Sequence, residues 1–351
     1  KGQALHSSLP PEPQPNQLVV HPFGAEAFID ASSRQNSTLG EEPMQNPVDT
    51  KSRVMSNESC KGGILHVKGK MVVKEELIFS KDCSTVHGDL GSQVFLEAPL
   101  IFEGALRMKG SLSFGAAHAL QRSCVTVEGH ASVLGNVRFQ NCHNANEKDD
   151  ELGQGGCLHV SQISHHGGTM NFNNCSSGRT GGGLYVDKDL LQQGGSMEFY
   201  NCSSQWGGGL WVDKDLSQLG GSMEFYNCRG ESSGGGLYIN SNLKQENGTS
   251  KFHNCSGEDG GGLYVNKDLL QLGGSMEFYN CRSKNGGGGL FVKNDLSQQG
   301  GSMGFYNCTS EKSGGGGLSV FFQFKQENGT SEFHNCSSDE YGGGLYVLAS
   351  A

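Results

Sequence analysis

The residues able to do chemistry in this chain recur in columns. Cysteine closes a Phe-x-Asn-Cys signal at Cys142, Cys175, Cys202, Cys228, Cys255, Cys281, Cys308 and Cys336, eight of the twelve cysteines. Stacked above one another they would either pair as a disulfide ladder, as a secreted chain permits, or pack as small apolar thiols. Steps of 26 to 33 residues do not make the close Cys-x-x-Cys pairs of a zinc site. An acidic column runs through Asp189, Asp215, Asp268 and Asp295, with Asp187 and Asp213 two residues earlier in their repeats. Carboxylates stacked at a turn suit Ca²⁺ as a cofactor. Asp and Asn are also the ordinary turn formers, and Asn240-Ser241-Asn242 interrupts the carboxylates, so the column reads first as turn chemistry. Cys142-His143, Cys157, His159, His165-His166 and Cys175 gather soft ligands that suit zinc or copper if their loops converge. A lyase or hydrolase centre calls for one repeat that breaks the pattern with a compact Arg, Lys or paired-Asp cluster. The repeats are near copies instead, and no catalytic residue is assigned.

The elements that must position these columns follow from the period. The Leu after each Gly run falls at Leu158, Leu184, Leu210, Leu237, Leu263, Leu290, Leu318 and Leu345, in steps of 26, 26, 27, 26, 27, 28 and 27 residues. A fixed period of this size signals a solenoid, propeller or array. Within one unit, Leu184-Tyr185-Val186 and Met197-Glu198-Phe199-Tyr200-Asn201 alternate with period two, as strands between two environments do. Helical spacing is lacking and Gly runs break every unit, which disfavours helical repeats. A right-handed parallel β-helix of coils of about 26–27 residues remains, each coil holding short strands joined by Gly-rich corners. Its coils repeat every 4.8 Å or so, giving eight of them a length of about 40 Å. Leu184, Val186, Met197, Phe199 and Asn201 are expected inside, with Tyr185, Glu198 and Tyr200 outside. The opposite facing would expose large apolar columns at about 1.5–3 kcal/mol per side chain.

Composition agrees. Only 34% of the 351 residues are hydrophobic, enough for the thin core of a rod, and the 55 glycines follow no Gly-X-Y period, so they belong to corners. A net charge of −10 disfavours nucleic acid as a partner, and no stretch of 18 apolar residues offers a membrane span. Three regions follow. Residues 1–59, with Pro10-Pro11-Glu12-Pro13 near the start, read as a disordered or extended arm. Residues 60–138 read as irregular coils of the same helix, as terminal repeats tend to be. Residues 139–351 carry the regular repeats and stop within a coil, from which a continuation of the helix is expected.

Two aromatic columns are expected to face solvent. One contains Tyr185, Trp211, Tyr238, Tyr264, Phe291 and Tyr346, the other Tyr200, Tyr226, Tyr279 and Tyr306. A contiguous apolar stripe marks an interaction surface, either for stacking on sugar rings or for docking another rod, whereas the same columns also serve as cross-strand pairs that only stabilise a sheet. Asn247-Gly248-Thr249 and Asn328-Gly329-Thr330 are N-glycosylation signals at turns. Asn201-Cys202-Ser203 and its like fit the same signal, but the inward facing expected of Asn201 argues against modification there.

The paired signals Phe-x-Asn-Cys and Gly-Gly-Gly-Leu resemble the FxxN and GGA(I/L/V) repeats of the chlamydial polymorphic outer membrane proteins and of some protist surface proteins, over residues 139–347. Two residues depart from the family pattern: Cys stands where the family has Asn as fourth residue of the first motif, and Gly where it has Ala in the second. The resemblance implies a β-helical passenger acting in adhesion, without the membrane barrel of that family in this segment. The expectation is therefore a non-enzymatic, secreted or cell-surface scaffold or adhesion module, a glycoprotein whose partners are a protein or glycan surface or further copies of itself. The alternatives are a subunit of a larger assembly, docked through the arm and the last coil, and a β-helical polysaccharide lyase or hydrolase.

Overall fold

In the computed structural model, residues 53–146 and 152–348 are described, and they form an all-β parallel solenoid. Most of the expected 1–59 arm lies outside the described residues. Its last part does not behave as an arm: Arg53–Val54 pairs in parallel with the strand Lys70–Val73, and Met55 is buried, so the solenoid begins before Cys60. A single antiparallel pairing, Cys60–Lys61 with Ile64 and Leu65, turns the chain into the first coil. Leu65, Val86, Met108 and Val133 then stack in register, so these early coils are shorter than the 26 residues of the regular repeat.

The coil that starts at Gly181 shows the regular plan. Four short strands follow in order: Leu184–Val186, Leu190–Gln192, Ser196–Tyr200 and Ser203–Trp206. Each pairs in parallel with its counterpart in the next coil, the first three residue for residue and the fourth with a register shift after Ser204, producing four faces numbered here 1 to 4 in that order. The three glycines of the corner have separate reasons. Gly181 takes φ +60, which side chains disfavour. A Cβ on Gly182 would lie 2.3 Å from the carbonyl oxygen of Gly208 in the next coil, and one on Gly183 would lie 2.9 Å from the Phe199 ring. The corner is thus bare because coils and core close on it from two directions.

The core is a set of columns. Leu184, Val186, Leu190, Met197, Phe199 and Cys202 are buried, as are their equivalents in neighbouring coils. Phe172, Phe199, Phe225, Phe252, Phe278 and Phe305 stack nearly parallel with centroids 4.7–4.9 Å apart along the axis. One inner column is polar: Gln192, Gln218, Gln245, Gln271 and Gln298 are fully or almost fully buried. Each Gln amide from Gln218 onward donates from Nε2 to the Oε1 of the coil before, at 2.9–3.1 Å, and also to a backbone carbonyl of face 3 in the next coil. Every amide thereby meets its neighbours inside the rod, as buried polar groups must. Where a coil replaces the core Met by Ser250 or Ser331, the hydroxyl donates to Gln218 Oε1 or Gln298 Oε1.

The expected inward Asn is overturned. Asn141, Asn174, Asn201, Asn227, Asn254, Asn280, Asn307 and Asn335 all adopt φ between 51 and 54, and all are exposed. This left-handed residue ends the strict alternation of face 3, so the following Cys points inward in its place. Asn enters this conformation more readily than most side-chain-bearing residues, which fits its presence at all eight positions of the column. The amides bridge coils, Nδ2 to Oδ1, in Asn174–Asn141 and Asn254–Asn227.

Candidate functional site

The outward columns are where partners or ligands would meet the rod, and the two aromatic ones differ. On face 1 the rings lie face to face: Trp211–Tyr238 at 4.1 Å, Tyr238–Tyr264 at 4.7 Å and Tyr264–Phe291 at 5.0 Å. Tyr185, Tyr264 and Phe291 are 6%, 9% and 6% exposed, which corrects the expectation of a solvent-facing stripe. Face 1 is only three residues wide, and the Gly corner closes on its ring column: a Cβ on Gly207 or Gly234 would lie 3.2 or 2.9 Å from Tyr238 Cβ. Trp211, Tyr238 and Tyr346 are half-buried. Burial pushes the Tyr238 hydroxyl up to about 12 and holds Tyr185 and Tyr264 above the usual phenol range.

Face 3 is five residues wide, and its outer column stays half-exposed: Tyr200, Tyr226, His253, Tyr279, Tyr306. Its rings stack at 4.7–4.8 Å within 10° of parallel. Both faces of each inner ring are therefore taken by its neighbours, and sugar rings cannot stack on them as the sequence suggested. What the column offers outward is ring edges and hydroxyls. Beside it stand Glu198, Glu224, Lys251 and Glu277, of which Glu224 and Glu277 accept hydrogen bonds from Tyr226 and Tyr279, each at 2.8 Å. Burial and then the Glu277 carboxylate push Tyr279 up to about 12, and burial and then the Glu224 carboxylate raise Tyr226. Lys251 reaches Glu277 at 3.6 Å.

The acidic column resolves into a structural device. Asp189 Oδ1 accepts the backbone N–H of Asp215, Asp215 Oδ1 that of Asn242, Asn242 Oδ1 that of Asp268, and Asp268 Oδ1 that of Asp295, at 3.0–3.3 Å. The oxygen, not the charge, is what each turn uses, so Asn242 serves as well as Asp. Among the described residues no group of three His, Cys, Asp or Glu side chains is placed to hold a metal ion. The soft-ligand cluster likewise separates. Cys157 and Cys175 form a disulfide, His159 pairs with Asp187 at 3.0 Å, and His143 bonds Ser176. His165 is buried at the head of the glutamine column, in register with Gln192, and burial holds its imidazole down to about 4.

The cysteine column remains thiols except at Cys175. Cys142, Cys202, Cys228, Cys255, Cys281 and Cys308 are free and buried, and Cys336 is free and half-buried. Stacked coils put equivalent Cβ atoms about 4.8 Å apart, beyond the 3.5–4.5 Å a disulfide spans. Cys157–Cys175 and Cys60–Cys83 form because each approaches across a coil, with Cα atoms 5.8 and 5.9 Å apart. The ladder thiols donate instead to carbonyls, as Cys228 does to Phe199 and Tyr226 at 3.6 Å. Burial pushes the Cys202, Cys255 and Cys281 thiols up, so they are kept protonated.

Asn247 and Asn328 are exposed at turns, as expected of acceptors. A cavity of about 270 Å³ lies at the junction of irregular and regular coils, lined by Arg122, Thr126, Glu128, Gln154, His159 and Asp187 among others. The glutamine column was not recognised in the sequence, although Gln stands at the same place in six successive repeats, from Gln192 to Gln326. No protein-family model matches the sequence, and no curated protein or solved structure is significantly similar to it.

Proposed function

We propose that this chain is a non-enzymatic extracellular or cell-surface scaffold that adheres to a protein or glycan surface through face 3. The observation that carries this reading is the half-exposed outer column of face 3, in which Tyr226–Glu224 and Tyr279–Glu277 present the same hydroxyl–carboxylate pair two coils apart, with Lys251 and His253 on the coil between. Weak contacts repeated on a rigid support gain avidity without any single strong site. The resemblance of the repeats to adhesive β-helical passengers supports the same reading. Because ring faces are occupied, recognition runs through polar edges, favouring partners rich in ammonium, guanidinium or hydroxyl groups.

The test is attachment of beads carrying the full chain to cultured cells and to immobilised glycans. A variant with Glu224→Gln, Tyr226→Phe, Glu277→Gln and Tyr279→Phe keeps the ring stack and removes the polar pairs. Loss of attachment in the variant supports face 3; equal attachment by both, or none above an unrelated protein, overturns it. A second reading, a polysaccharide-acting enzyme, rests on the cavity beside Arg122 and the His159–Asp187 pair. Release of unsaturated ends from polyuronides, abolished by His159→Ala, would support that reading instead.

A further inference from the structure

The left-handed asparagine column carries a second pattern. Asn174, Asn201, Asn254, Asn307 and Asn335 are each followed by Cys and then by Ser176, Ser203, Ser256, Thr309 or Ser337, completing the Asn-x-Ser/Thr acceptor signal. Asn141, Asn227 and Asn280 are followed by Cys-His or Cys-Arg and lack it. We infer that the corner between faces 3 and 4 is a rank of N-glycan attachment sites, with Asn254 the principal one. This rests on the extracellular reading above.

Three observations carry it. Every asparagine of the column is exposed, because φ near 53 turns its side chain out of the core. The ladder also leaves room for the bond. Asn254 Nδ2 donates to Asn227 Oδ1 at 3.2 Å, and an amide nitrogen has two hydrogens. A sugar attached in place of the second leaves the coil-to-coil bond intact. Spacing then ranks the sites. Neighbouring coils lie about 4.8 Å apart, so glycans on Asn174 and Asn201, or on Asn307 and Asn335, crowd each other. Asn254 stands between Asn227 and Asn280, which carry no signal, and so has about 10 Å to the nearest acceptor coil on either side. The two disulfides, Cys60–Cys83 and Cys157–Cys175, fit a chain that traverses an oxidising compartment.

Glycans here would line one margin of face 3, directly after Tyr200 and its equivalents, and confine a partner to the Ser196 side. The experiment is secretion of the full chain from eukaryotic cells behind a cleavable leader, followed by enzymatic deglycosylation in heavy-oxygen water and peptide mass spectrometry. Asn254 is expected to be labelled in most molecules, and more fully than Asn174 or Asn201. Ser256→Ala keeps the asparagine and its fold; it is expected to lose one glycan in intact mass with unchanged circular dichroism. Glycan at Asn247 or Asn328 with Asn254 unmodified overturns the inference, as does a secreted chain with no glycan. A modified secreted chain beside an unmodified, intracellular chain in the native source supports the acceptor geometry and overturns the extracellular reading.

Discussion

Replacing Gln271 by Leu tests how the buried amide column holds the rod together. Leu has a similar volume, so the cavity is small and the loss is polar. Two groups are left without a partner, Gln245 Oε1 and one hydrogen of Gln298 Nε2, while the Ser302 carbonyl loses the Gln271 amide but keeps the backbone bond of its pairing with the coil before. At about 1–3 kcal/mol for each unsatisfied buried group, Gln271→Leu is expected to cost about 2–6 kcal/mol. Gln245→Leu is expected to cost less, about 1–3 kcal/mol, because only one hydrogen of Gln271 Nε2 is left without a partner. The other group, Gln218 Oε1, still accepts from Ser250. Urea denaturation followed by far-UV circular dichroism and tyrosine fluorescence measures both. Adding Ser250→Ala to Gln245→Leu should then cost more than Ser250→Ala does alone, since the two substitutions together strand Gln218 Oε1. Equal midpoint shifts for the two Leu variants, or additivity of the double variant, would refute the reasoning that orphaned amides set the cost.

Other consequences are as direct. Gly235→Ala is expected to prevent folding, since its Cβ would lie 2.1 Å from the Gly261 carbonyl oxygen, whereas Gly167→Ala meets nothing within 4 Å and should leave the thermal midpoint unchanged. Asp215→Asn is expected to be near neutral in the same assay, and Asp215→Ala to cost about 0.5–1.5 kcal/mol, because only the Oδ1 acceptor is used. His165 is buried neutral with its pKa lowered to about 4, so its contribution is full above the unfolded value near 6.5 and is lost as pH falls toward 4. The loss is about 3 kcal/mol, and His165→Gln, which extends the glutamine column, should remove that pH dependence from the denaturation midpoint. Maleimide labelling of the native chain should modify Cys336 first among the described ladder cysteines and reach Cys202 to Cys308 only on denaturation; rapid labelling of all of them would contradict the buried column.

The repeat, the parallel solenoid and the Leu, Val, Met and Phe columns were legible in the sequence because each depends on local alternation and a constant step between coils. Alternation holds inside a strand such as Met197-Glu198-Phe199, and stacking repeats the same choice in every coil. Asn201 escaped that logic because a left-handed residue resets which side faces in, and nothing in a two-residue period marks where the backbone turns. Gln192 and its equivalents went unrecognised, since their burial depends on amides of the coils above and below. Whether Tyr185 is covered was decided by the residues that meet it in space, and which cysteines pair was decided by the positions of their Cβ atoms. Fold and the apolar inward columns therefore follow from the sequence alone. Exposure, pairing and the surface left for partners come from the third dimension, where residues far apart in the chain meet at one corner.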